Sequence, residues 1–189
     1  MRATGLPEHP ERQFHLQRIA APIGAMLLVT NGAGRVCALD FEDCAAHMHK
    51  LLHRHYGAYA LIERAGPCSV GDKLGRYFAG EFGALDDIAV STNGSAFQQR
   101  VWATLRRIPA GRVATYGALA AELGGAAHAR QVGGANAANP IALIVPCHRV
   151  VGKDGDLKGF AWGLARKAWL LAHEKANVDG GASRRLPGC

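Results

Sequence analysis

The chain has 189 residues, 49% of them hydrophobic, and 22 Lys+Arg against 15 Asp+Glu give a formal net charge of +7. This is enough apolar material for one core or two small ones, but no run of about 18 apolar residues occurs and Met1–Glu11 is polar, so neither a membrane span nor a signal peptide is expected. Five cysteines (37, 44, 68, 147 and 189) form an odd set without paired CxxC spacing, which disfavours a disulfide framework and a metal site and points to a reduced, cytoplasmic protein.

The charge is unevenly placed. Residues 1–90 hold 9 Lys+Arg against 10 Asp+Glu, whereas residues 91–175 hold 11 against 4. Clustered positive charge is the electrostatic footprint of a phosphate-backbone binder, and a solvated basic face has the same composition.

In chain order, residues 14–20 and 22–30 read as strands, Asn31-Gly32-Ala33-Gly34 as a turn and Arg35 to Phe41 as a third strand. Asp43 is placed to cap a helix reaching about Tyr56, with Ala46, Leu51 and Leu52 among its apolar positions, and a second helix is expected from Val70 to Phe82. Ser91–Gly94 reads as a polar link between two halves. Ser95 and Gln98 then form a capping-box pattern ahead of a helix with Phe97, Val101, Leu105 and Ile108 on one face, ended by Pro109-Ala110-Gly111. A short helix from about Tyr116 to Leu123 stops at Gly124-Gly125, and another begins near Ala127 or His128, a helix-turn-helix pattern. Ile141 to Val145 reads as a strand that, with the turn Gly152-Lys153-Asp154-Gly155, has the look of a wing. Gly163 to Lys175 reads as a closing amphipathic helix with Leu164, Ala168, Leu171 and Ala172 inward, and Gly180 to Cys189 as a disordered tail.

Chemistry concentrates at Ile144-Val-Pro-Cys-His-Arg-Val-Val151. A thiolate is a nucleophile and imidazole is a base matched to neutral pH. On an extended backbone Cys147 and His148 point to opposite faces, so a bridging water would have to carry the proton between them. Cys147 taken alone also fits a small core residue. The helix beginning near His128 is rich in very small residues, among them Gly133 and Gly134, which suits either tight packing inside the protein or close approach to a partner.

Asn139-Pro140 followed by the apolar run to Pro146-Cys147-His148-Arg149-Val150 resembles the signature of the O6-alkylguanine-DNA alkyltransferases, the methylated-DNA–protein-cysteine methyltransferases, nearest to their bacterial single-function form. Phe97-Gln98-Gln99-Arg100-Val101-Trp102, Ile108-Pro109-Ala110-Gly111, Thr115-Tyr116-Gly117, Arg130-Gln131-Val132-Gly133 and Lys167-Ala168-Trp169-Leu170-Leu171-Ala172-His173-Glu174 fall in that family's order, so the likeness covers roughly residues 16–175 and is most specific from 95 onward.

The resemblance implies an α/β two-domain fold: a ribonuclease-H-like mixed domain over 1–92, a winged helix-turn-helix domain over 93–176, and a tail over 177–189. It implies direct reversal of DNA damage, with the alkyl group of O6-alkylguanine, and in some members O4-alkylthymine, passing irreversibly to Cys147 in one turnover without a cofactor. It assigns His148 as the base, Glu174 as its orienting carboxylate, Asn139 as the tie of the active-site turn and Tyr116 as the phenol that assists the departing base. Ala129, Arg130, Gln131, Gly133 and Gly134 would meet double-stranded DNA in the minor groove, Arg130 filling the space of a flipped base. Val150, Phe160, Ala161 and Trp162 would line the base pocket, and Arg149 is structural. A monomer in solution, with no membrane partner, is implied. The chain departs from the commoner pattern at Gln131, Ala137, Phe160 and Ala161-Trp162-Gly163, and Trp162 bears on the size of alkyl group tolerated. Two other classes remain: a lesion-binding module of the kind that lacks the cysteine in this fold, and a thiol hydrolase, which would need an oxyanion-hole motif.

Overall fold

The structure, a computed structural model, describes residues 12–125 and 128–175. The expected tail over 177–189 and the polar segment before Arg12 lie outside the described residues, as does Ala127. The chain divides into two compact units: the first runs to Ser95 and also takes Pro140–Ile144, and the second takes Ala96–Asn139 and resumes at Val145. Among the described residues, no helix is long and apolar enough to cross a membrane.

In the first unit β1 (Gln13–Ile19), β2 (Met26–Thr30), β3 (Val36–Phe41) and β4 (Ala60–Glu63) form a sheet in the order β3-β2-β1-β4. The β1/β2 and β2/β3 pairs are antiparallel and β1/β4 is parallel. The second strand starts at Met26, short of the expected residue 22, because Gly24 adopts φ +118° and closes a turn on Ala21 O at 3.1 Å. Asn31 shapes the β2–β3 turn, its Oδ1 accepting from the amides of Ala33 and Arg35. Helix α1 (Ala45–Tyr56) follows a 3₁₀ turn at Glu42–Cys44 that contains Asp43. It buries Met48, Leu51 and Leu52, while Ala46 is exposed, contrary to expectation. Met48 and Leu52 pack with Phe14, Leu27, Val29, Cys37 and Ala38 in one apolar cluster, where each buried Phe, Leu, Val or Met side chain contributes about 1.5–3 kcal/mol. Helix α2 (Ser69–Phe78) ends four residues before the expected Phe82, because Gly80 turns the chain at φ +101° into a separate 3₁₀ turn at Phe82–Leu85.

Two segments read as linker or strand are tied into this unit instead. Ser91, expected in a polar link, donates its amide to Val36 O at 2.8 Å, beside the bridge between Val36 and Val90. Pro140–Ile144 is buried along its length but is not a strand: only Ile141 bridges Leu39, through Leu39 N to Pro140 O at 3.0 Å and Ala142 N to Leu39 O at 2.8 Å. Leu143 then turns to φ +63°, a conformation that breaks a strand.

In the second unit α3 (Ala96–Leu105) packs on α5 (Ala129–Ala137), which also packs on α4 (Tyr116–Glu122). Val101, Trp102 and Leu105 of α3, Leu119 and Ala120 of α4, and Val132 and Ala135 of α5 are buried. The indole of Trp102 donates to Ala135 O at 2.9 Å, satisfying its only polar atom while the ring fills the core. Phe97 and Ile108, expected on the same face, are half-buried. The Thr115 hydroxyl caps α4 by accepting from Ala118 N at 3.0 Å. Strands β5 (Ala114–Thr115) and β6 (Val150–Val151) pair in parallel. Helix α6 (Leu164–His173) buries Lys167, Leu170 and Leu171, and the following Glu174 is buried too. Its inward face is therefore rotated from the expected one, since Leu164 and Ala172 are exposed and Ala168 is half-buried.

Candidate active site

Pro146 enters a 3₁₀ turn, Cys147–Arg149, that leads directly into β6. The extended backbone expected at Cys147-His148 is thus corrected to a tight turn, in which successive side chains are set about 120° apart instead of on opposite faces. The turn is held by Arg149 N to Pro146 O at 3.0 Å and Cys147 N to Val145 O at 2.8 Å.

Asn139, just beyond α5, is fully buried and reaches both sides of this turn. Its Nδ2 donates to Val145 O at 2.8 Å and to the Cys147 sulfur at 3.2 Å. Burial pushes the thiol up to about 11, against the Asn139 hydrogen bond and the positive charge of Lys167, which pull it down. At neutral pH the resting sulfur therefore carries its proton, and a base is required to make it nucleophilic.

His148 is wholly buried and its Nε2 lies 3.1 Å from Glu174 Oε1, the carboxylate arriving from the end of α6. Burial holds the imidazole below its ordinary value, with Glu174 acting against that and the charges of Arg149 and Lys167 adding to it. The ring's other nitrogen, Nδ1, is buried with no hydrogen-bond partner among the described residues. Burial alone would raise Glu174, but hydrogen bonds from His148 and Arg149 outweigh it and hold the carboxyl below its usual range. Gly111 makes room for this end of α6: it takes φ +77°, and a Cβ there would stand 3.1 Å from Glu174 O.

The sequence alone does not single out Lys167. It is fully buried, and its Nζ donates to Val150 O at 2.6 Å and to Lys158 O at 2.7 Å. Burial brings the ammonium down to about 8, with Cys147 acting in the opposite direction. The carbonyl of Val150, whose side chain is also buried, is thus already engaged by a cation. The signal lies in the spacing: Lys167, Leu170, Leu171 and Glu174 follow the i, i+3, i+4, i+7 rule of one helix face.

Tyr116, at the start of α4, donates its hydroxyl to Lys158 O at 3.3 Å and accepts from Asn136 Nδ2 at 3.3 Å. Burial raises the phenol, the nearby Cys147 adding to the rise and Asn136 opposing it. Asn136 keeps a buried Oδ1 without a partner among the described residues. Phe160 stands edge-on to His148 at 6.5 Å and to Trp162 at 4.9 Å. Trp162 is buried and Ala161 is exposed.

Cys147, Asn139, His148 and Glu174 are therefore brought together, with Tyr116, Val150 and Phe160 around them. Ala129, Arg130, Gln131, Gly133 and Gly134 lie on α5. Arg130, Gln131 and Gly134 are exposed, and a Cβ built at Gly133 or Gly134 would meet nothing within 4 Å. Tight internal packing thus does not account for that glycine pair. Among the described residues, no cluster of three or more His, Cys, Asp or Glu is arranged to hold a metal ion.

A mixed α/β framework that carries a buried cysteine and an imidazole–carboxylate pair on its helical unit places the protein in the class of cysteine-bearing α/β proteins. A model of the 6-O-methylguanine DNA methyltransferase DNA-binding domain matches residues 96–176. The methylated-DNA–protein-cysteine methyltransferase of Salmonella typhimurium is 44% identical over 160 residues, covering 84% of this chain and 94% of that protein. The chain belongs to the methylated-DNA–protein-cysteine methyltransferase family. The fold is similar to Mycobacterium tuberculosis OGT in complex with DNA (TM-score 0.71, 36% identity, covering 87% of this chain and 96% of that one). It is also similar to the O6-methylguanine-DNA methyltransferase of Pyrococcus kodakaraensis (TM-score 0.63, 25% identity, covering 85% and 98%).

Proposed function

We propose that the protein repairs DNA directly by moving the alkyl group of O6-alkylguanine onto its own Cys147, once and irreversibly. The observation that carries this reading is the Cys147 thiol, gripped by Asn139 and set beside an imidazole whose Nδ1 has no partner among the described residues. Family membership supplies the substrate class.

Cys147 is 2% exposed, so a base stacked in a duplex cannot present its alkyl carbon to the sulfur. The damaged nucleotide has to rotate out of the helix, and a pairing defect lowers the cost of doing so. The open glycine face of α5 and the exposed Arg130 support a minor-groove approach, with Arg130 occupying the vacated stack. Helices α4 and α5 serve as the helix-turn-helix of a winged C-terminal domain, and the N-terminal unit forms a ribonuclease-H-like support. The protein acts as a monomer on double-stranded DNA.

In the reaction, a water bridging to His148 Nδ1 takes the thiol proton and passes one of its own to that nitrogen. The sulfur lone pair attacks the alkyl carbon as the carbon–O6 bond breaks, and that bond's electron pair passes to the purine. Tyr116 donates a hydrogen bond to the departing base, and the carbonyl of Val150, with Phe160, Ala161 and Trp162, borders the pocket. Glu174 offsets the charge that develops on His148. A thioether does not hydrolyse, so the protein is consumed. O4-alkylthymine holds its alkyl group by the same kind of carbon–oxygen bond and is the second substrate to assay.

The test is intact mass and peptide mapping after mixing the protein with an equimolar duplex containing one O6-methylguanine. One added methyl on Cys147, absent in Cys147→Ala, is the expected result. Repaired DNA beside unmodified protein would replace this reading with a turning-over enzyme, and an untouched lesion beside unmodified protein would leave a binding module.

A further inference from the structure

Two buried side chains share one oxygen of Glu174. Arg149 Nη2 donates to Oε1 at 2.7 Å, where His148 Nε2 also sits at 3.1 Å, and Arg149 Nε donates to Oε2 at 2.9 Å. The far side of the guanidinium is fixed by Nη1 donating to Ile108 O at 2.5 Å. The side chains of His148 and Glu174 are 0% exposed and that of Arg149 is 6% exposed, so water does not substitute for these contacts. The sequence alone gives Arg149 no more than a structural part.

A guanidinium stays charged, and a carboxylate held in this two-point fashion stays ionised and can only accept hydrogen bonds. His148 Nε2 must then carry the ring proton. In a neutral imidazole this leaves Nδ1 as an acceptor, and Nδ1 is the nitrogen without a partner among the described residues. The charged groups acting on the ring are Glu174, Arg149 and Lys167. Of these, only Arg149 touches the same carboxylate as the ring.

We propose that Arg149 is a positioning residue for the transfer: its grip on Glu174 fixes His148 as the Nε2–H tautomer and so keeps Nδ1 open as the proton acceptor. The consequence for transfer rests on the functional reading above, whereas the tautomer can be read without DNA. The experiment is a long-range 1H–15N spectrum of the labelled protein at pH 7, with His148 assigned by its loss in His148→Asn. The expected state is a neutral ring protonated at Nε2. In Arg149→Gln the Nδ1–H tautomer should appear and the single-turnover rate should fall about a hundredfold, while affinity for duplex DNA in a gel shift persists. Arg149→Lys keeps the charge but not the two-point grip, and should recover only part of both. A wild-type ring protonated at Nδ1, or at both nitrogens, overturns the proposal even if no Arg149 variant folds. So does a folded Arg149→Gln that is slow with an unchanged tautomer, because Arg149 would then be a packing residue. If the wild type shows the expected tautomer yet never methylates itself, the functional reading fails and the tautomer assignment stands.

Discussion

The two units bury different things. Among the described residues the first unit encloses a nearly continuous apolar core in which Asp40 is the one buried charged side chain, whereas the second encloses His148, Arg149, Lys167 and Glu174. Burying an ion costs several kcal/mol after relaxation, and apolar residues of similar volume would often serve stability as well or better. The proposed transfer at Cys147 would leave the first unit the part of a support. In the second, the buried groups shift one another's protonation beside a thiol, and the proposed transfer would give that cost a use.

Breaking the network should have the largest effect. Glu174→Ala leaves a guanidinium uncompensated in a buried site and is expected to cost about 3–5 kcal/mol of stability, read by urea unfolding at pH 7, and to abolish transfer. Glu174→Gln keeps the shape and should slow single-turnover transfer while DNA binding persists. The pH dependence has a definite sign. Because the folded carboxyl lies below its ordinary 4.5, its contribution is complete above that pH and is lost as pH falls. Wild type and Glu174→Ala should therefore converge in stability in acid. A gap that stays constant there would show that the carboxylate's charge is not what stabilises the site.

The matching cut in the first unit is Leu28→Ala, at a side chain 1% exposed in β2. It should cost about 2–5 kcal/mol through the cavity it leaves, yet the transfer rate per folded molecule should not change. A lowered rate in the folded population would erase the distinction between support and site. A smaller effect is expected at Lys167. Lys167→Met removes the cation that draws the thiol down, and single-turnover transfer at pH 7 should slow about tenfold, a barrier change of about 1.4 kcal/mol. If the rate is unchanged, Lys167 acts only as the tie between the carbonyls of Val150 and Lys158.

What the sequence discloses follows from the same contrast. Cys147, His148, Asn139 and Glu174 stand in motifs that resemble the family's, so their grouping is legible through that resemblance, whereas Glu174 by itself reads as a surface carboxylate. Lys167 escapes because a lysine on an amphipathic helix ordinarily marks its solvent face. The apolar letters of α6 also fit two rotations, and the expected one takes Leu164 and Ala172 inward where both are exposed. Ile141–Val145 misleads in another way: a continuous apolar run reports burial, not conformation, and this run is buried without being a strand. Strand β4 escapes notice because Ala60–Glu63 is short, lies at the sheet edge and is mostly exposed, so its brief apolar run Ala60-Leu61-Ile62 shows no alternation that would mark a strand. The extended reading of Cys147-His148 fails because Pro146 opens a 3₁₀ turn there.

The smallest expected effect tests the outer surface of the second unit. Glycine inside a helix costs about 1 kcal/mol relative to alanine, and at Gly134 nothing among the described residues offsets this, since the position is exposed and an added Cβ would meet none of their atoms within 4 Å. Gly134→Ala should therefore stabilise the free protein by about 0.5–1 kcal/mol. If α5 is the surface that approaches DNA, the same methyl group should weaken duplex binding in a gel shift while leaving the reaction of Cys147 with a free O6-alkylated guanine unaltered. Stabilisation with undiminished binding would remove α5 from the interface. A loss in both reactions would instead mean that the helix is coupled to the thiol through Asn139, which follows it in the chain, and that the outer surface and the buried site cannot be varied independently.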